Sequence, residues 1–274
     1  MRQYRFLAVI AAVMSGFVVV GSVQAQEPPK SAAAVAAKSL NVGGVDAKDG
    51  GTITGVVRFK GAKPQPKPIA DIAGNAFCKS CYKAGEVPTQ DNVVFGKNGD
   101  DDTLRNVLVY VSKGLEGKTF EPPKEAVVID QVGCVYTPHV VAVMAGQALD
   151  VRNSDATLHN VMSNPRKNPP FNFGMPVKDE TVPKVFKEPE FKMNLRCFMH
   201  PWMSGYVHVL PHPFFAVTQR DGTFKITGLP PGEYEVTVVH ETSIFEATPA
   251  MQSVKVAAGE TKAADFVYQP RAKR

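Results

Sequence analysis

From Gly51 onward the chain is written in short apolar segments closed by turn formers. "TITGVVRFKG", "RNVLVYVSKG", "EAVVIDQVG", "HVVAVMAGQALDVRN", "FKMNLRC" and "GYVHVL" are rich in Val, Ile, Thr and Phe, and each is bounded by Gly, Pro, Asn or Asp. None carries a convincing 3.6-residue period. Many short β-branched segments with this punctuation build strands, so the expected class is all-β, a β-sandwich or small barrel. The 22 Gly and 22 Pro supply the turns. Residues 163–190 hold Pro165, Pro169, Pro170, Pro176, Pro183 and Pro189, and are expected to form a long loop.

The beginning of the chain is different. Arg2 and Arg5 precede an apolar run from Phe6 to Val20, and Val23 and Ala25 occupy small-residue cleavage positions. Residues 1–25 therefore read as a secretory signal peptide, and the mature protein as secreted or periplasmic, with no membrane span. Residues 26–47 are rich in Ala, Pro and Lys and poor in large side chains, which predicts a flexible leader. Taking the two arginines from the formal charge of +5 leaves +3. That mild, scattered charge gives no ground for nucleic-acid binding.

Two domains are expected, over residues 48–212 and 213–270. The second contains "FFAVTQRDGTFKITGLPPGEYEVTVVHE", where Asp221-Gly222 is a hairpin signal between strands. In "EYEVTV" the apolar Tyr234, Val236 and Val238 fall on one face. The stretch "DGTFKITGLPPGEYEVTV" resembles the carboxypeptidase regulatory-like modules, small β-sandwiches without catalysis of their own. So short a unit is expected to dock on its neighbour. Whether residues 52–60 belong to the first or the second domain stays open.

The chemistry concentrates in "LRCFMHPWMSGYVHV", Leu195–Val209. Cys197, His200 and Met203 recur at intervals of three between two expected strands. A thiolate, an imidazole and a thioether are soft donors that suit copper, and a second His would complete a blue-copper set. The candidates are His139, His159, His208, His212 and His240. His159 stands out because "HVVAVMAGQALDVRNSDATLHNV" reads as strand, Ala-Gly turn, strand, polar loop, His.

Together the two segments resemble the cupredoxins over residues 103–210. "CFMHPWM" is most similar to the ligand loop of the amicyanins. The resemblance implies a Greek-key β-sandwich with one type 1 copper ion. It makes His159, Cys197 and His200 the equatorial ligands and Met203 the axial one, with Met162 and Met199 as alternative soft donors. Asn160 would tie the two ligand segments together. The resemblance further implies that the outer edge of His200 faces solvent as an electron port framed by Pro201 and Trp202. The alternative is that Trp202 packs inward.

Of the other cysteines, "CKSCY" lacks the His that follows a c-type haem motif and has no βαβ context. In an oxidising compartment a disulfide is expected. Cys78–Cys134 is favoured, with Cys81–Cys134 and Cys78–Cys81 open. The triple Asp of "KNGDDDTLRN" reads as a solvated turn, and the remaining His as structural or surface residues. No H-x-H, G-x-S-x-G or H-E-x-x-H occurs, so neither oxidase nor hydrolase activity is expected. The leading function is electron transfer with a transient partner such as a c-type cytochrome or oxidoreductase. The alternatives are Cu(I) storage or delivery, and a non-redox surface interaction module.

Overall fold

A computed structural model describes residues 49–272; the expected signal peptide and leader lie outside the described residues. The described chain is all-β apart from a 3-10 turn, Ala70–Gly74, and a one-turn helix, Ala76–Ser80. Its strands form four sheets around two main apolar cores.

The first core lies among strands from both ends of the chain. Gly51–Phe59 pairs with Thr223–Leu229, Thr261–Ala263, Phe266–Pro270 and Asp101–Leu104. Leu108–Lys113 runs between Phe215–Val217 and Gly232–Val239. Ile53, Val57, Val109, Val111, Ile226, Val236 and Phe266 are buried together. The sheets therefore do not divide at residue 212. Residues 51–59 and 95–113 complete the sheets of residues 215–270. The reason is size: so short a stretch cannot bury enough apolar surface alone.

The second core lies among the strands of residues 127–210 and takes in Ile69, Ile72 and Cys78 from an earlier segment. One sheet orders Phe171–Met175, His159–Ser163, Glu190–Arg196, Ser204–Leu210 and Val140–Met144. The other orders Glu180–Val185, Ala148–Asn153, Val127–Val132 and Val135–Thr137. Two of the pairings are parallel, Ser204–Leu210 with Val140–Met144 and Val127–Val132 with Ala148–Asn153. Alternating residues such as Ile129, Leu149, Val151, Met193, Leu195, Val207 and Val209 fill the space between.

Two expectations change. Residues 163–190 are not one long loop: they contain the strands Phe171–Met175 and Glu180–Val185, each at a sheet edge. An edge position is where a strand tolerates a proline such as Pro183, which pairs with Asp150. The Asp221-Gly222 turn does form, with Gly222 at φ +75°, where its missing Cβ spares a clash with Thr103. Yet the strands it joins, Phe215–Val217 and Thr223–Leu229, enter different sheets. The turn is a corner between layers, not a hairpin.

Candidate metal centre

The donor segments meet at one end of the second core. Glu190–Arg196 and Ser204–Leu210 are antiparallel, with Arg196 opposite Ser204, so residues 197–203 close a tight loop. Arg196 also faces Met162, which brings the strand His159–Ser163 alongside. His159 opens that strand and Cys197 follows its neighbour, so both side chains reach the same end.

The Cys197 Sγ lies 4.0 Å from His159 Nδ1 and 3.7 Å from His200 Nδ1, and the two Nδ1 atoms are 3.0 Å apart. All three residues are buried. Met203 is also buried, and its N–H donates to the His200 carbonyl at 2.8 Å, which tightens the loop. Met162 is only part-buried, and Met199 is 52% exposed. Among the described residues, two nitrogen donors and one thiol converge here, and this donor chemistry fits a soft or borderline metal such as copper.

The electrostatics favour a thiolate. Burial pushes the Cys197 thiol up. Hydrogen bonds from His159, His200 and the backbone N–H groups of Asn160 and His200 outweigh it and bring the thiol down to about 6. For His159, burial acts downward, but the Asp155 hydrogen bond and the Cys197 charge leave it raised. The Asn160 N–H donates to Cys197 Sγ at 3.3 Å, and the Asn160 Oδ1 accepts from the Phe198 N–H at 3.3 Å. Asn160 therefore bridges the two donor segments, in the place the resemblance assigned it.

Asp155 had no expected role. Its Oδ2 accepts from His159 Nε2 at 2.9 Å, and its two oxygens accept the N–H groups of Gly133 and Cys134 at 2.8 Å. Its position four residues before His159, next to Asn153, was the available signal. Asn153 orders this connection by donating to the carbonyls of Thr157, Met175 and Val177.

The exposed port does not form. His200 is 2% exposed, and its Nε2 lies 3.2 Å from Asn75 Nδ2. Trp202 packs against the core, with its ring centroid 5.2 Å from that of His200 and its Nε1–H donating to the Cys134 carbonyl at 3.0 Å. The cover over His200 is the segment Ile69–Tyr82, in which only the two cysteines had an expected role. Cys78 and Cys134 form the favoured disulfide, which leaves Cys81 as an exposed thiol. The apolar side chains exposed next to the donors are instead Leu158, Phe198 and Met199; Phe198 is 63% exposed.

The other His are all buried. His139 pairs with Glu241 at 2.6 Å, and His212 donates to the Val111 carbonyl. Burial pushes His208 and His240 down to about 3. None of these four belongs to a metal-capable group among the described residues.

No family model matches this chain, and no curated protein matches it. Part of the chain is similar in structure to cupredoxin-fold proteins. One is a copper-containing nitrite reductase from Thermus scotoductus, at 22% identity and TM-score 0.29, over 36% of this chain and 25% of that one. Another is a purple cupredoxin from Nitrosopumilus maritimus, at 23% identity and TM-score 0.26, over 30% of this chain and 98% of that one. A third is an amicyanin variant in its Cu(I) form, at 24% identity and TM-score 0.28, over 32% of this chain and 86% of that one. The chain thus spans about a quarter of the reductase's length. Among the described residues no helix is long and apolar enough to cross a membrane.

Proposed function

We propose that this chain is an exported protein that passes single electrons through one type 1 copper ion, held by His159, Cys197 and His200 with Met203 as the fourth donor. The observation that carries this reading is the convergence of Cys197 Sγ and the Nδ1 atoms of His159 and His200, no two more than 4.0 Å apart, at a buried end of a β-sandwich. Copper supplies the Cu(I)/Cu(II) couple. The chain's own residues do the rest. Burial excludes water from the donors. The hydrogen bonds to Cys197 hold its sulfur as a thiolate. Asp155 and Asn160 keep the ring of His159 and the sulfur in place, so that little rearrangement accompanies each electron.

The partner is a redox protein such as a c-type cytochrome or oxidoreductase, met transiently over a small contact. Leu158, Phe198 and Met199 present the apolar surface for that contact. The charge pattern of residues 1–25 and the buried disulfide support export to an oxidising compartment. The regulatory-like resemblance of residues 213–270 is assigned to the sandwich that they complete with residues 51–59 and 95–113. That sandwich scaffolds the copper unit and performs no catalysis.

The test is the optical and electron paramagnetic spectrum of the Cu(II)-loaded protein beside Cys197→Ser. We expect an intense visible band in the parent and none in the variant, with the far-ultraviolet dichroism of both alike. A band that survives the substitution would falsify the donor assignment. A second reading, copper storage or delivery, is favoured by the covering of His200 by Asn75. Reversible redox titration separates the two readings: a carrier cycles, whereas a storage site does not.

A further inference from the structure

The segment over His200 is built around one side chain. Ile69–Tyr82 buries Ile69, Ile72 and Cys78 against the second core. The disulfide to Cys134 tethers it, and the Tyr82 hydroxyl donates to the Gly133 carbonyl at 2.7 Å. At its centre Asn75 makes two contacts. Its Oδ1 accepts the Cys78 N–H at 3.0 Å as the N-cap of the helix Ala76–Ser80, and its Nδ2 lies 3.2 Å from His200 Nε2.

The orientation of that amide is not free. A backbone N–H only donates, so the atom capping Cys78 must be the amide oxygen. The amide nitrogen, also a donor, is then turned toward His200. In this arrangement His200 Nε2 accepts. A histidine that ligates a metal through Nδ1 does the reverse: its Nε2 carries the proton and needs an acceptor. His159 has such a partner, because its Nε2 faces the Asp155 carboxylate at 2.9 Å. His200 faces an amide N–H donor.

We propose that Asn75 makes the 69–82 segment an occupancy-sensitive cover: a metal held on His200 Nδ1 breaks one of the two Asn75 hydrogen bonds and loosens the helix beneath it. If the amide keeps its orientation, Nδ2 and Nε2–H are two donors at hydrogen-bond distance and the cover lifts from His200. If it turns over, Oδ1 accepts from His200 and the Cys78 N–H loses its cap. In both cases the disulfide keeps the segment attached. The loosening is therefore local: with the amide kept it uncovers the edge of His200, and with the amide turned over it uncaps the helix Ala76–Ser80, in each case only when the site is filled. This rests on the reading of His159, Cys197 and His200 as metal donors.

The experiment is amide hydrogen exchange on the full chain, metal-free and loaded anaerobically with Cu(I), with native mass spectrometry counting bound ions. We expect the 75–82 amides to exchange roughly fivefold faster in the loaded protein, the effect of losing an N-cap of about 1 kcal/mol. In Asn75→Asp one carboxylate oxygen can cap Cys78 while the other accepts from His200, so the difference should vanish. Asn75→Ser keeps a cap oxygen but does not present an amide N–H to His200, and should also be insensitive to loading. Unchanged or slower exchange with one ion bound overturns the coupling, as does an Asn75→Ser protein that still responds fivefold. If mass spectrometry finds no bound ion, the metal reading of the site falls, and the coupling with it.

Discussion

Two segments close over the same donors, and they are held in different ways. The connection 154–158, which delivers His159, is held by a dense set of polar contacts to its own neighbours and to residues 133–134 and 175–177. Asn153 gathers three carbonyls, Asp155 takes two backbone N–H groups, and Asp155 then fixes His159. The segment 69–82, which covers His200, comes from far away in sequence. Ile69 and Ile72 pack it on the core, and one disulfide, one tyrosine hydroxyl and one asparagine hold it. The difference teaches which half of the site is pre-set. His159 is oriented by a carboxylate that suits a ligated imidazole, so filling the site costs that side little. His200 is oriented by an amide that does not suit it, on a segment that contributes Ile69, Ile72 and Cys78 to the core.

The largest test of this contrast removes the tether. The disulfide closes a loop with a sequence separation of 56, which on the chain-entropy view contributes roughly 4 kcal/mol. Cys78→Ser with Cys134→Ser should lower stability by about that amount in a denaturant titration. It should also strip exchange protection from residues 69–82 while residues 153–160 stay protected. Equal loss in both segments would erase the distinction.

A smaller effect is expected on the other side. Asp155→Asn keeps the shape but removes the charge and part of the accepting capacity beside His159. Outer-shell partners of this kind are worth about 10–100-fold in metal affinity. Competition against a Cu(I) chelator should show that loss, with the exchange of residues 69–82 unaltered. An affinity equal to that of the parent would mean that His159 is not set by Asp155.

The smallest effect serves as a control at the far end of the strand Glu190–Arg196 that leads into Cys197. Glu190 accepts the N–H groups of Arg166, Lys167 and Asn168. Burial acts to raise its carboxyl, but these bonds win and hold it below the ordinary Glu value. A depressed carboxyl stabilises the fold above its unfolded value near 4.5, and that contribution is lost as pH falls through the lower folded value. Glu190→Gln should therefore flatten part of the acid branch of the stability curve and lower stability at pH 7 by about 1 kcal/mol. The copper spectrum should not change. A shifted spectrum would show that the strand transmits strain from one end to the other.

Much of this molecule was legible in its residues. The strand segments in "HVVAVMAGQALDVRN" and "FKMNLRC" appear where their β-branched and alternating patterns placed them, because a period of two is a local property. The loop holding Cys197, His200 and Met203 was legible because all three sit on one short connection. The choice of His159 among five candidates came from the segment around it, and the structure brings His159, Cys197 and His200 together. Asp221-Gly222 was legible as a turn, and Gly222 sits at positive φ, though the turn is not the hairpin expected.

Other features depended on which distant segments pair, and no local pattern records that. Gly51–Phe59 joins strands from the far end of the chain because they share a core that neither could fill alone. The strands around Asp221-Gly222 enter different sheets because turn chemistry sets a reversal of direction, not a hydrogen-bonding partner. The direction of the Trp202 indole was undetermined in sequence, and the nearby Cys134 carbonyl decided it. The cover over His200 was decided in the same way. Residues 69–82 carry little strand pattern of their own. They reach the site because Cys78 meets Cys134, Ile69 and Ile72 join the core and Tyr82 bonds Gly133, and these long-range contacts place Asn75 against the imidazole.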